Sequence, residues 1–352
     1  MLLLPTVLMF TEYEESFRRI ENRKLSEVNF STLKEAKKSI INLNNFYKDN
    51  FGMKYFFYNF YKKNVSDRYE ESPSNDKVLY GKSNWLFLGN YYHNAFSEAK
   101  GELVFKNEEI NLIRENLKTI KEWCESQEIV FYINVVPGKH TVYKEFLPYR
   151  FEKQKTKLDQ LIEIFPGLID LRLALEKQKQ KPLYFKTDTH WNYLGAFEGY
   201  LKVLESIIKD NQSIKSLNKS DIDSVSYSYE RLGDINKILG LKSTEIEPRI
   251  HLRSRLGKED SKRIEVPTYH RLEKSTYEKR YVNDDALNDL KIVLLRDSFS
   301  DFYLDYFRAT FKEVVFIYNH RFDQTIIAKE NPDILLYVIG ERVIDRFVTI
   351  LD

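Results

Sequence analysis

Lys291-Ile292-Val293-Leu294-Leu295-Arg296-Asp297-Ser298-Phe299-Ser300 reads as a buried strand that runs straight into the first turn of a helix. The run from Ile292 to Leu295 shows no polar alternation, the pattern of a strand covered on both faces in a parallel sheet. Beyond it, Phe302, Leu304, Tyr306 and Phe307 recur at helical spacing. Two more strand candidates follow, Val314 to Tyr318 (VVFIY) and Asp333 to Ile339 (DILLYVI), with helices beginning near Ser298 and near His320 between them. Upstream, Glu128 to Val136 (EIVFYINVV) is a run of the same kind, closed by Pro137-Gly138. A helical face of Ile110, Ile113, Leu117, Ile120 and Cys124 precedes it. A helix from about Lys153 to Ile164 and a short strand around Leu168 to Leu171 follow. Strands alternating with helices predict an α/β fold, three layers around a mainly parallel sheet.

Further out the signals change. Lys77 to Tyr80 and Trp85 to Leu88 flank Gly81-Lys82-Ser83-Asn84 as a hairpin. Thr187-Asp188-Thr189-His190-Trp191-Asn192 opens a helix with Leu194, Phe197, Leu201, Leu204 and Ile208 on one stripe. Residues of about 210–290 are polar and without strong period, and read as an insertion with room for short strands; Gly233-Asp234-Ile235 stands out there only as a turn. The body is therefore expected at 76–352, behind a helical arm at 11–75 that carries Ile40, Ile41, Leu43, Phe46 and Tyr47 and ends in Ser72-Pro73-Ser74-Asn75. Leu2 to Phe10 (LLLPTVLMF) is apolar but shorter than the roughly 20 residues of a spanning helix. It has neither the basic start nor the small-residue cleavage site of a signal peptide. Residues 1–10 are either an apolar terminus docked on the body or the remnant of a signal anchor.

Composition narrows the classes. With 42% hydrophobic and 31% charged residues the chain is globular. Basic and acidic residues number 55 and 53, a net charge of +2, which supplies no global field for nucleic acid. A single cysteine, Cys124, rules out an internal disulfide framework and a multi-cysteine metal site; on its helical face it fills core space. The 24 Tyr and 24 Phe suit a surface that stacks on sugar rings, or simply reflect an AT-rich genome.

Two polar clusters fall at strand-to-helix handovers, where parallel sheets bind ligands. The first is Arg296-Asp297-Ser298. A serine at a helix N-terminus lies beside unpaired N–H groups that stabilise an alkoxide or oxyanion; the plain alternative is an N-cap made by Asp297 or Ser298. The second is Asp188-Thr189-His190-Trp191-Asn192. A histidine takes a serine proton only when its tautomer and orientation are held, usually by a carboxylate, and Asp188 serves if the loop turns both side chains inward. No second histidine or carboxylate lies at ligand spacing, so neither metal nor cofactor is expected. His93, His140, His251, His270 and His320 lack comparable context, although His93 and His140 follow strand-like segments and are placed to line a cleft.

Taken together, the clusters resemble the AlgJ/AlgX group of SGNH-hydrolase-like polysaccharide O-acetyltransferases, with the related DHHW-type proteins. Asp188-Thr189-His190-Trp191-Asn192 and Asp297-Ser298-Phe299-Ser300 carry the likeness. Tyr80-Gly81 with Asn84-Trp85-Leu86-Phe87-Leu88, Val136-Pro137-Gly138-Lys139 with Tyr143 and Leu147-Pro148, Gly233-Asp234, Pro332-Asp333, Glu341-Arg342 and the Glu21-Asn22-Arg23 stretch support it in order. The resemblance implies an SGNH-like sandwich with a permuted-like motif order, the Asp-His pair preceding the serine by about 110 residues. It implies Ser298 as nucleophile, His190 as general base and Asp188 as its orienting partner. Arg296 stands where a glycine often precedes Asp-Ser, so the oxyanion hole is expected to differ, with the Ser298 N–H as one donor. Arg321, Tyr318, Arg296 and Trp191 are candidate oxyanion or substrate contacts. The implied reaction is acetyl transfer through an acetyl-serine to hydroxyls of a secreted bacterial polysaccharide. A membrane-bound MBOAT-type partner would supply acetyl at an extracytoplasmic site, and the apolar N-terminus would anchor the chain. A carbohydrate O-acetylesterase and a non-catalytic glycan-binding or assembly protein are the alternatives.

Overall fold

The computed structural model describes residues 42–44, 46–47, 76–148, 150–152, 154–253, 261–267 and 278–351. The expectations for 1–10 and 11–75 lie outside these residues, except for 42–44 and 46–47, which are helical. Eleven strands are described. β1 (Val78–Tyr80) and β2 (Leu86–Leu88) form the expected hairpin. The main sheet contains β3 (Val130–Val136), β4 (Ile169–Asp170), β7 (Lys262–Ile264), β8 (Lys279–Val282), β9 (Asn288–Arg296), β10 (Phe311–Ile317) and β11 (Ile334–Gly340). Its order is β4-β3-β11-β9-β10-β8-β7. The first five strands run parallel; β8 and β7 close the edge antiparallel.

The apolar runs occupy the middle of this sheet because both of their faces are covered. On one side Val293, Leu295, Val315, Ile317, Leu335, Tyr337 and Ile339 pack with helices α1 (Asn107–Ser126) and α2 (Lys157–Ile164). On the other, Ile292, Leu294, Val314, Phe316, Leu336 and Val338 pack with α3 (Tyr193–Asp210) and α4 (Leu304–Thr310). A fifth helix, α5 (Gln324–Glu330), contributes Ile326 and Ile327 to the first side. The result is the three-layer α/β sandwich. α1 shows the driving force: Ile113, Leu117, Ile120 and Cys124 are at most 1% exposed. Burying each large side chain is worth about 1.5–3 kcal/mol, well above the few tenths that separate ordinary helix propensities. α2 starts at Lys157, later than its apolar pattern suggests, because Thr156 and Asp159 form a reciprocal capping box.

Within the polar stretch at about 210–290, the described residues form paired strands that its composition does not announce. β5 (Ile222–Arg231) and β6 (Glu245–Leu252) pair antiparallel as a long hairpin, and β7 and β8 extend the main sheet. Edge strands and half-exposed hairpins carry charged side chains, so they lack the apolar signature of central strands. Among the described residues no helix is long and apolar enough to cross a membrane.

Candidate active site

Ser298 stands at the carboxyl end of β9, between β11 and β10. Asp297 is the N-cap: its Oδ1 accepts the Phe299 N–H at 2.9 Å and its Oδ2 accepts the Gly340 N–H at 2.7 Å, pinning the turn to the end of β11. Ser298 opens the 3-10 segment Ser298–Tyr303 that continues into α4. Its hydroxyl is thus left for another partner, and Oγ lies 2.8 Å from His190 Nε2.

His190 is held by a narrow loop. The Phe185 N–H reaches the His190 carbonyl at 3.3 Å and the Asn192 N–H reaches the Leu183 carbonyl at 2.9 Å. Asn192 then caps α3 through the N–H groups of Leu194 and Gly195. Within the loop, Asp188 Oδ1 accepts the His190 backbone N–H at 3.0 Å and lies 2.6 Å from Nδ1. This network places the proton on Nδ1 and leaves Nε2 to accept from the serine. Trp191 is fully buried, and its indole N–H donates to the Phe299 carbonyl at 2.9 Å.

A second ring of groups immobilises that loop. Arg231, the last residue of β5, donates Nε–H to Asp188 Oδ2 at 3.0 Å, and the Asp234 N–H adds another bond at 3.1 Å. Glu245, opposite Arg231 in the hairpin, accepts the N–H groups of Lys186 and Thr187, both at 2.8 Å. Asp234 accepts the Thr189 N–H at 2.7 Å and its hydroxyl at 2.5 Å. Gly233 lies so close that a Cβ there would come within 2.1 Å of the Thr187 carbonyl oxygen. From below, the buried Lys139 ammonium donates to the carbonyls of Phe185, Lys186 and Asp188 at 3.0, 3.0 and 2.7 Å. It also sits over the rings of Trp85 and Phe87.

Electrostatics follow from this packing. Burial alone would push the Asp188 carboxyl up, but the His190 hydrogen bond and charge, then the charge of Arg231, hold it well below the usual carboxylate range. Burial pushes Lys139 down to about 8, against the opposing pull of Asp234, Glu245 and Asp188. Asp188, His190 and Asp234 bring ligand-type atoms within 4.8 Å of one another. Asp234 was not at ligand spacing in sequence; the hairpin brings it in. The lone pairs of both carboxylates are already turned to Nδ1, N–H, hydroxyl and guanidinium donors, and Lys139 lies beneath. The cluster fits a filled hydrogen-bond network better than a coordination shell.

The other candidate contacts fall differently. Arg296 is fully buried: its guanidinium lies 5.0 Å from the Tyr318 ring centroid, donates to the Asp297 carbonyl at 3.1 Å and pairs with Asp301 at 3.0 Å. It supports the turn from within, and so corrects the expectation of a substrate contact. Trp191 likewise braces from the core. Tyr318 is partly exposed beneath that guanidinium, its phenol raised by burial. Arg321 is exposed, and its backbone N–H bonds the Asn319 side chain at 3.1 Å. His140 is a core histidine, bonded to the Leu88 carbonyl at 2.8 Å and pushed down to about 4 by burial.

A serine, histidine and aspartate in hydrogen-bond series is an arrangement that acyl-transfer enzymes of several unrelated folds share, and the fold class here is shown by the family. The family described as "SGNH hydrolase-like domain, acetyltransferase AlgX" matches residues 78–268, more than half of the chain, and the chain belongs to it. It is accordingly an SGNH-like acyltransferase. PatB1 from Bacillus cereus is similar over 78% of this chain and 99% of its own, at 18% identity and a TM-score of 0.58. The same protein with a sulfonyl adduct matches over 78% and 98%, at 19% identity and 0.59. A DHHW family protein from Eubacterium siraeum matches over 78% and 99%, at 15% identity and 0.51. These likenesses are likenesses of fold. No curated protein matches the chain.

Proposed function

We propose that this chain acetylates hydroxyl groups of a secreted bacterial polysaccharide through an acetyl-Ser298 intermediate. The observation that carries the reading is the unbroken series Ser298 Oγ, His190 Nε2, His190 Nδ1 and Asp188 Oδ1, with contacts of 2.8 and 2.6 Å. In the first half-reaction His190 takes the Ser298 proton as Oγ attacks the donor's acetyl carbonyl. The bond to the donor's leaving group breaks, and His190 returns the proton to that group. In the second, a sugar hydroxyl gives its proton to His190 and attacks the acetyl-serine carbonyl. Oγ leaves and recovers the proton. Asp188 stays ionised and steadies the imidazolium formed in each half. The Ser298 N–H, in the first helical turn, contributes to the oxyanion site.

Family membership supports the acetyl group and the polysaccharide acceptor. On the same reading the site works outside the cytoplasm, and a membrane-bound MBOAT-type partner delivers acetyl to it. Residues 76–352 form the catalytic body, and the N-terminal residues tether it at the membrane. The test is product analysis. Purified protein, p-nitrophenyl acetate and oligosaccharides should yield acetylated sugar that is lost in Ser298→Ala. Acetate released to water with no acetylated sugar would favour the carbohydrate esterase. No Ser298-dependent turnover would favour a glycan-binding or assembly role.

A further inference from the structure

A transferase must seat a sugar beside its acyl-serine long enough to compete with water, and one surface next to His190 is built to do so. Phe302 packs 6.1 Å from the His190 ring, and Tyr193, the first residue of α3, packs edge-on against Phe302 at 5.1 Å. The Arg249 guanidinium, from β6, lies over the Tyr193 ring at 4.4 Å and donates to its hydroxyl at 2.6 Å. The same guanidinium lies 5.0 Å from the Tyr229 ring and forms an ion pair with Glu247, two residues before it on β6. Tyr229 is 49% exposed.

The strand register places Tyr229 on the side of the hairpin that faces the reaction. Tyr229 pairs with Glu247 and Arg231 with Glu245, and alternate residues of a strand share a face. Arg231 is the residue that reaches Asp188. Tyr229 therefore stands on the same face, about 7 Å further along the strand at ~3.3 Å per residue, a step on the scale of one sugar ring. A guanidinium clamped between two tyrosines holds the outer ring in place at low entropic cost.

We propose that the site-facing side of the β5–β6 hairpin is an acceptor subsite, on which a pyranose ring stacks against Tyr229 while a neighbouring sugar presents its hydroxyl to Ser298. The inference rests on the transferase reading above and names where its acceptor lies. The occupant is a sugar chain, because an exposed tyrosine ring offers a flat C–H-binding face and a hydroxyl together.

The test follows the partition of acetyl-Ser298 between sugar and water. The full chain is acetylated with p-nitrophenyl acetate and exposed to neutral (cellohexaose), amino-sugar (chitohexaose) and acidic (oligogalacturonate) acceptors. The best of these is carried forward. Tyr229→Ala should lower the ratio of transfer to hydrolysis about tenfold, while Tyr229→Trp, which keeps a ring, should hold it within about twofold. An unchanged ratio in Tyr229→Ala overturns the subsite, and so does a loss in Tyr229→Trp as large as in Tyr229→Ala. Failure of every acceptor to discharge the wild-type acetyl-serine overturns the transferase reading itself, and does so before any variant is compared.

Discussion

Trp191 donates its indole N–H to the carbonyl of Phe299 at 2.9 Å, and so ties the residue after His190 to the residue after Ser298. Ser298 and His190 come from loops 108 residues apart. This buried bond, with the edge-on packing of Trp191 on Phe299 and Tyr303, fixes their separation. Trp191→Phe keeps most of the volume but leaves a buried carbonyl without its donor, at a cost of about 1–3 kcal/mol. A lowered urea midpoint and a slower acetylation of Ser298 are the expected outcome; wild-type values in both would show that the bond does not set the geometry.

Gly199 reports on the same tryptophan. A Cβ there would meet the Trp191 ring at 2.7 Å and the Tyr303 hydroxyl at 2.9 Å. Elsewhere in a helix, replacing Gly by Ala gains about 1 kcal/mol. Here overpacking costs about 1–3 kcal/mol and wins. Gly199→Ala should therefore lower the melting temperature, where propensity alone predicts a rise.

Lys139 gives the site an alkaline limit. Its three carbonyl acceptors need three N–H groups, and a neutral amine has two. With its pKa pushed down by burial to about 8, the ammonium is present below that pH and lost above it, so acetylation of Ser298 should decline with a midpoint near pH 8. The stability sign is the opposite. The folded protein binds fewer protons here than the unfolded chain between about pH 8 and 10.5, so this group adds stability as pH rises through that window. Lys139→Gln should be slow at every pH and lose the titration near 8. A wild-type profile flat from pH 7 to 9 would contradict the assignment.

Arg231 is a positioning residue for Asp188. Without it, one carboxylate oxygen keeps only the Asp234 N–H, and the aspartate is freer to turn from His190. Arg231→Ala should lower kcat about 10- to 100-fold, by the usual cost of a lost charge-assisted bond, with little change in KM for p-nitrophenyl acetate. Partial recovery in Arg231→Lys would separate positioning from a general loss of folding, and equal losses in both variants would not fit.

The legible parts of this protein are those whose physics is local. Ile292 to Leu295 reads as a central strand because both faces are buried, and Asp297-Ser298 reads as a strand-to-helix junction because the helix pattern begins immediately. Asp188 and His190 are two residues apart, so one loop suffices to join them. Arg231, Asp234 and Glu245 reach the same loop from 43 to 58 residues away. They do so through a hairpin whose polar strands carry no hydrophobic period, and the Gly233-Asp234 turn gives no sign of its partner. Lys139 could be placed in the Pro137-Gly138-Lys139 element, but its burial depends on the rings of Trp85 and Phe87 and on carbonyls from the Asp188 loop. Arg296 misleads for the same reason: its cavity between Phe316, Tyr318 and Asp301 exists only after the strands pair.

The central claim is that Ser298 carries the acetyl group. Intact-mass spectrometry of the protein after brief exposure to p-nitrophenyl acetate, followed by peptide mapping, tests it directly. A single acetyl adduct on Ser298, absent in Ser298→Ala and slowed about 10³- to 10⁴-fold in Asp188→Asn, is the predicted result. An adduct that forms equally well in Ser298→Ala, or maps to another residue, would contradict the account.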